Sequence, residues 1–316
     1  DETSGEYYLH RFYKEEPDLN IANPEVKNEI KRIMDFWLNM GVSGFRVDAA
    51  HILIELDKPT AQENEDFNIL NFMHKSAFAH GDVMLLAEAN DIAEELPKYF
   101  GNGDRMNVLF NFLLNQHMFL ALAREDARPI EDKVNMLPLQ PEKGQWLNFI
   151  RHHDELTLDK LSHEEMNEVF AAFAPQKNMQ IYDRGIRRRL ATMLNNDRRH
   201  MELVHSLVFS LPGIPMIRYG DEIGMGDDLS IPGRSSVRTV MQWNYEKNGG
   251  FSTANPEDLI MPTITEGDYG YLKVNVEDQE KKPGSHLNWV KKLVRIRKQC
   301  KEIGEGVFKI VKNKQP

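Results

Sequence analysis

A chain of 316 residues, 41% of them hydrophobic and 28% charged, can bury a sizeable core and reads as globular. Its net charge of −10 argues against nucleic acid or an anionic membrane as partner, and its best apolar run, 203–217, is broken by Pro212, Gly213 and Pro215. A single cysteine, Cys300, leaves no internal disulfide framework, so a reducing, cytoplasmic location is expected.

In chain order, Asn23 and Pro24 form a cap and first turn. Val26, Ile30, Ile33, Met34, Trp37 and Leu38 then recur at helical spacing until Gly41 stops them. A strand over 42–48 follows. An Asn-, Asp- and Glu-rich loop leads to a helix over 65–80, closed by Gly81. VMLLAEA (83–89) is apolar almost throughout, as a strand buried on both faces would be. A helix over 91–100, a strand at 106–112 and a helix at 113–124 come next. WLNFI (146–150) is a fourth strand and runs into the charged cluster RHHDE. After a polar, partly helical insertion to about residue 184, an amphipathic helix covers 198–211. IPMIRY (214–219) is a fifth strand, and a basic helix covers 286–302.

Strand–helix alternation of this kind implies a parallel sheet with helical crossovers, an α/β fold. Five strands form either an open doubly wound sheet or the part of an eight-stranded barrel that follows its third strand. No G-x-G-x-x-G or phosphate-cradling loop follows any strand, so no organic cofactor is expected. The adjacent His152 and His153 lack the His-x-His or His-Glu-x-x-His spacing that would suggest zinc. The basic helix carries an apolar stripe (Trp289, Leu293, Ile296), which marks a packed helix with a solvated face.

Chemistry concentrates at the strand ends. In GFRVD (44–48), Arg46 and Asp48 are two apart on a strand and point the same way. The guanidinium keeps that carboxylate ionised, while Glu88, in the apolar LLAE, is desolvated and pushed toward its protonated form. Asp154 lies just past the fourth strand, in RHHDEL. Polar groups at the C-terminal ends of parallel strands converge in a barrel. An ionised carboxylate, a protonated one and a third acid are the set that glycoside chemistry uses. A neutral sugar also needs no charge match.

GFRVD, LLAEAND, FIRHHDEL and GIPMIRYGDEIGMGD, in this order, resemble the later conserved regions of the α-amylase superfamily, glycoside hydrolase family 13. HRFYKEEPDLNIANPEV, RGIRRRLATMLNNDRRHMEL and RSSVRTVMQW resemble its trehalose synthase branch and the amylase-named relatives there. The resemblance implies a TIM-type (β/α)8 barrel of which this chain holds about strands 4 to 8, lacking the first three. Residues 1–22 would end a small inserted domain and 23–303 would be barrel. Residues 304–316 would be a tail or the start of a β-domain. It implies Asp48 as nucleophile, Glu88 as acid/base and Asp154 as transition-state stabiliser. Arg46 would orient Asp48, and His153 and His152 would lie at the sugar. It further implies an α-glucoside substrate: maltose, trehalose or a maltooligosaccharide. The reaction would be maltose–trehalose interconversion, with hydrolysis as the rival and a non-catalytic role a distant third. A structural calcium ion would be held by Asp18, Glu55 and the carbonyls of Ile52 and Leu53, oxygen ligands of the kind calcium takes.

The chain departs from that pattern in places. His152 stands where the family carries asparagine, Val240 replaces a proline, and Arg218 stands where many relatives carry tyrosine. The chain opens without an initiator methionine, so the lack of a leader carries no information about secretion. A chain starting after the third strand would not close its barrel, or be active, unaided.

Overall fold

A computed structural model describes residues 3–57, 67–306 and 308–311. The chain packs as two units, Asp1–Phe110 with Pro138–Gln145, and Asn111–Leu137 with Trp146–Pro316.

In the first unit, helix α1 (Pro24–Asn39) begins where the Asn23 side chain accepts the Glu25 N–H at 2.9 Å. Then come β1 (Gly44–Val47), α2 (Ala50–Leu56), α3 (Asn68–Phe78), β2 (Met84–Ala87), α4 (Leu96–Phe100) and β3 (Val108–Phe110). The strands are parallel, with Gly44 opposite Met84, Val47 opposite Ala87, and Leu86 opposite Val108. Gly44 is required there: a Cβ would stand 2.2 Å from the Met84 carbonyl oxygen. Leu85, Ala87 and Leu109 are wholly buried, as are Ile69, Leu70 and Ala77 of α3. Burying each of the larger side chains contributes roughly 1.5–3 kcal/mol. This packing fixes the ends of β1 and β2.

The second unit holds α5 (Phe112–Arg124), α6 (Arg128–Met136), β4 (Gln145–Phe149), β5 (Leu156–Thr157), α7 (His163–Phe173), β6 (Gln180–Ile181) and β7 (Gly185–Ile186). It continues with α8 (Leu190–Met193), α9 (Arg198–Ser210), β8 (Ile214–Met216), α10 (Val276–Lys281), α11 (His286–Gln299) and α12 (Glu302–Glu305). β4 and β8 run parallel, and β5, β7 and β6 form a small antiparallel sheet. The core joins Met118 and Phe119 of α5, Val169 and Phe173 of α7, and Val204 and Val208 of α9. Asn111 caps α5 by accepting the Leu114 N–H and donates to Asn148 of β4, which donates in turn to the Pro212 carbonyl.

All five expected strands are present; four are shorter than their apolar runs, and the fourth keeps its five residues one position earlier, at Gln145–Phe149. The third stops at Phe110 because Asn111 is already the cap of the next helix. The helix expected over 91–100 contracts to its last turn, Leu96–Phe100. Helices α2, α6, α8 and α10 were not expected; they span four to nine residues, too few for a periodic stripe to show. Of the stripe expected on α1 only Met34 is buried, while Ile33 and Trp37 are about half exposed. The expected loop and helix start at 58–66, and residues 307 and 312–316 of the expected tail, lie outside the described residues. Among the described residues no helix is long and apolar enough to cross a membrane.

Candidate active site

At the ends of β1 and β2 one guanidinium faces two carboxylates. Arg46 Nη1 lies 2.7 Å from Asp48 Oδ1, and Nη2 donates to Glu88 Oε2 at 2.6 Å. The backbone sets this up. Glu88 N–H donates to the Val47 carbonyl, and Ala50 N–H donates to the Glu88 carbonyl, both at 3.0 Å. Between them Ala49 takes a left-handed conformation (φ 41°), which turns its N–H toward Glu88 Oε2 at 3.4 Å. A non-glycine residue in that region is strained, and such strain persists where surrounding structure holds it. The Arg46 guanidinium also stands 6.0 Å from the centroid of the Phe110 ring.

The two carboxylates occupy unlike surroundings. The Asp48 side chain is 72% exposed and that of Glu88 only 19%. Burial pushes Glu88 up to about 7, assisted by the hydrogen bond with Asp48 and by its charge, and opposed by Arg46 and the Ala49 N–H. At neutral pH Glu88 is therefore divided between a proton donor and a proton acceptor. That is the property a group needs if it must give a proton in one step and take one in the next.

Asp154 sits in the second unit, in the loop past β4, and is gripped by two arginines. Arg238 Nη2 donates to its Oδ1, and Arg234 Nη1 lies 3.4 Å from its Oδ2. His153 Nε2 is 3.7 Å from Oδ1. Burial pushes the Asp154 carboxyl up, but His153, Arg234, His152 and Arg238 together outweigh it and hold the group below the usual range. Arg234 also forms a two-point pair with Glu155, at 2.6 and 3.1 Å. The wholly buried Arg151 donates to the carbonyls of Arg188 and Asp154, both at 2.9 Å, and so fixes the loop from behind.

His152 and His153 lie in this loop rather than on a strand. His152 is buried edge-on against Phe112 and Phe149, and its Nδ1 accepts the Asp154 N–H at 3.3 Å. Burial, then the charge of Arg151, pushes its ring well down, so it is neutral at working pH. Arg218, the residue in the tyrosine position, donates to the His152 carbonyl at 3.0 Å. Motif reading gave Arg234 and Arg238 no role. Their only signal was two arginines four apart in RSSVRTVMQW, which says nothing about which acid they would reach.

Asp18 and Glu55 do meet, but on Arg11. Its Nη1 pairs with Glu55 Oε2, and its Nε lies 3.8 Å from Asp18 Oδ2. The Leu53 carbonyl accepts the Asp57 N–H at 3.1 Å, and Ile52 precedes it in α2. Among the described residues no three His, Cys, Asp or Glu side chains are grouped to hold a metal. As arranged, the two carboxylates hold a guanidinium.

Residues 1–306 match the model of the α-amylase catalytic domain. The chain belongs to the α-amylase family, glycoside hydrolase family 13. It is 40% identical over 329 residues to a trehalose synthase of Pimelobacter sp. (strain R48), covering all of this chain and 57% of that protein. It is 38% identical to the trehalose synthase/amylase TreS of Mycolicibacterium smegmatis, covering 98% of this chain and 53% of the relative. Among solved structures, the α-amylase from H.orenii superposes with a TM-score of 0.69 at 24% identity, over 96% of this chain and 53% of that one. This places the fold with the (β/α)8 barrel enzymes of the family. The chain spans about half the length of these family members.

Proposed function

We propose that this protein is a retaining enzyme of α-glucosides that interconverts maltose and trehalose by intramolecular glucosyl transfer. The observation that carries the reading is Arg46 bridging an open Asp48 and a buried Glu88 that titrates at about 7. Asp48 attacks the anomeric carbon as the glycosidic C–O bond breaks, and Glu88 gives its proton to the leaving oxygen. The glucosyl ester on Asp48 is then attacked by the anomeric hydroxyl of the released glucose. Its proton passes to Glu88, and the Asp48 carboxylate leaves. Asp154, kept ionised by its arginines, would hold sugar hydroxyls and stabilise the positive charge of the transition state; His153 would lie beside it.

Hydrolysis is the second reading, with water in place of the glucose hydroxyl. The 72% exposure of Asp48 favours it. In the finer assignment the chain supplies strands four to eight of the barrel, with residues 1–22 ending an inserted domain and 304–316 leading out of the barrel. The substrate is a neutral α-glucoside, and the single cysteine suits cytoplasmic work. Calcium remains a proposal in narrower form: the ion would have to displace Arg11 from Asp18 and Glu55.

The deciding experiment gives maltose alone to the protein in its full natural length and separates trehalose from glucose. Trehalose should exceed glucose in the initial phase. Glucose without trehalose would replace the transfer reading with hydrolysis.

A further inference from the structure

The second unit holds a cavity of about 800 Å³ between α5, α6 and the start of α7, and none of the three acids lines it. That volume lies in the range of small-molecule sites. The two longer walls meet at a sharp corner. α5 ends at a left-handed Glu125 (φ 53°), the Asp126 carboxylate accepts the Arg128 N–H at 3.0 Å, and Pro129 in the first turn starts α6. Leu120, Pro129 and Met136 give the lining an apolar share.

In a chain that is acidic as a whole, four cations line this cavity (Arg124, Arg128, Lys133 and Lys160) against three acids. Two of the acids are committed elsewhere. Asp126 holds the Arg128 N–H and guanidinium, while Glu165 accepts the Ser162 N–H at 3.0 Å and completes the capping box of α7. Two of the cations lack such partners. Among the described residues no carboxylate pairs with Lys133, whose ammonium touches the Met136 sulfur at 3.8 Å. Lys160 is 3.7 Å from Asp159 although its side chain is only 22% exposed. Adjoining residues of α5 feel both lysines: Lys160 N–H donates to Gln116 Oε1 at 2.8 Å, and the Lys133 charge acts on the His117 ring. Half-buried ammonium groups without a close counterion are unfavourable, and a bound anion relieves them.

The rest of the lining suits hydroxyl groups. Burial, joined by the charges of Lys133 and Arg124, pushes the His117 ring down against its hydrogen bond to Leu113 and the charge of Glu165, so the ring is neutral. Its Nδ1–H donates to the Leu113 carbonyl at 2.7 Å, which leaves Nε2 as an acceptor. On α6, beside Lys133, the third acid, Asp132, and Asn135 offer further acceptors and an amide donor. A carboxylate there repels a bare anion but accepts from a hydroxyl, and the volume far exceeds that of a phosphate ion.

We propose that this cavity binds a phosphorylated sugar, with the phosphate on Lys133 and Lys160 and the hydroxyls on Asp132, Asn135 and His117. The apolar share of the lining takes the C–H face of the ring. The site uses none of the residues assigned to glucosyl transfer, so it stands whether that reaction ends on sugar or on water.

Equilibrium dialysis of the protein in its full natural length tests this with three probes: glucose 6-phosphate, glucose and inorganic phosphate. Glucose 6-phosphate should bind at least about tenfold more tightly than either of the others. Lys133→Gln and Lys160→Gln should each weaken it by about tenfold, and Lys133→Arg should keep it within about threefold. Maltose turnover should stay unchanged in all three variants, which shows that the fold is intact. If a glutamine variant loses turnover as well, Lys133→Arg decides: retained binding upholds the inference and lost binding overturns it. Glucose 6-phosphate that binds both glutamine variants as it binds wild type sits elsewhere, and the inference falls. It falls equally if inorganic phosphate binds as tightly as the ester, which leaves the sugar no role. Glucose binding as tightly as the ester, or no binding of the ester at millimolar concentration, also overturns it.

Discussion

Arg46 divides one positive charge between two acids, and the division is unequal in effect. Asp48 lies open to water and needs the guanidinium for orientation as much as for charge. Glu88 is buried, and Arg46 only moderates an upward push that burial supplies. A lysine would not serve, because its point charge cannot reach two carboxylates through separate nitrogens. With Glu88 acting as proton donor, kcat/KM should fall as pH rises through about 7. Glu88→Gln should erase that limb and lower turnover by on the order of 10²–10⁴. Stability provides a second readout. The ordinary value is 4.5 and the folded one about 7, so the folded chain holds the proton more tightly. Stability should therefore decline as pH rises from 4.5 to 7 and level off above. Glu88→Gln should flatten that decline, as seen by following Tm against pH. An unchanged slope would mean that Glu88 does not titrate there.

At the scale of elements, the active pair depends on how closely β1 approaches β2. Gly44 permits the approach, opposite Met84 and two residues before Arg46. Gly44→Ala should cost about 1–3 kcal/mol, the usual range for overpacking. It should also lower activity beyond what the stability loss explains, because displacing β1 draws Arg46 away from Glu88. Urea unfolding and kcat on the same sample check this; wild-type values in both would show that β1 can shift freely. The strands were legible because each is a short, mostly apolar run, the first two leading directly into an acid, Asp48 and Glu88. The short helices were not. The seven residues of α2 span about two turns, too few for a period to show, and the helix starts from a left-handed Ala49 that no pattern announces. The left-handed turn at Tyr182 and Asp183 was equally hidden, since Tyr-Asp gives no turn signal where Asn-Gly would.

For the molecule as a whole, spacing disclosed which acids matter and not what holds them. Asp48 and Arg46 were readable together because two residues on one strand share a face. Asp154 lies 80 residues before Arg234 and 84 before Arg238, so only tertiary folding pairs them. The same gap explains the calcium expectation. Asp18 and Glu55 could be proposed as oxygen ligands from motif likeness, but the guanidinium that reaches both belongs to Arg11, in a segment with no regular pattern. A protein with ten surplus negative charges gains some stability from any cation at its surface, so a specific site must be separated from that background. Arg11→Ala makes the separation. With Arg11 present, millimolar calcium should move Tm no more than magnesium does. Without it, the two freed carboxylates should lower Tm, and calcium should restore it more than magnesium, with a concentration dependence that follows mass action. Scanning calorimetry of both proteins in each salt reads this directly. A wild type that loses several degrees on chelation would show that calcium, and not Arg11, occupies the place between Asp18 and Glu55.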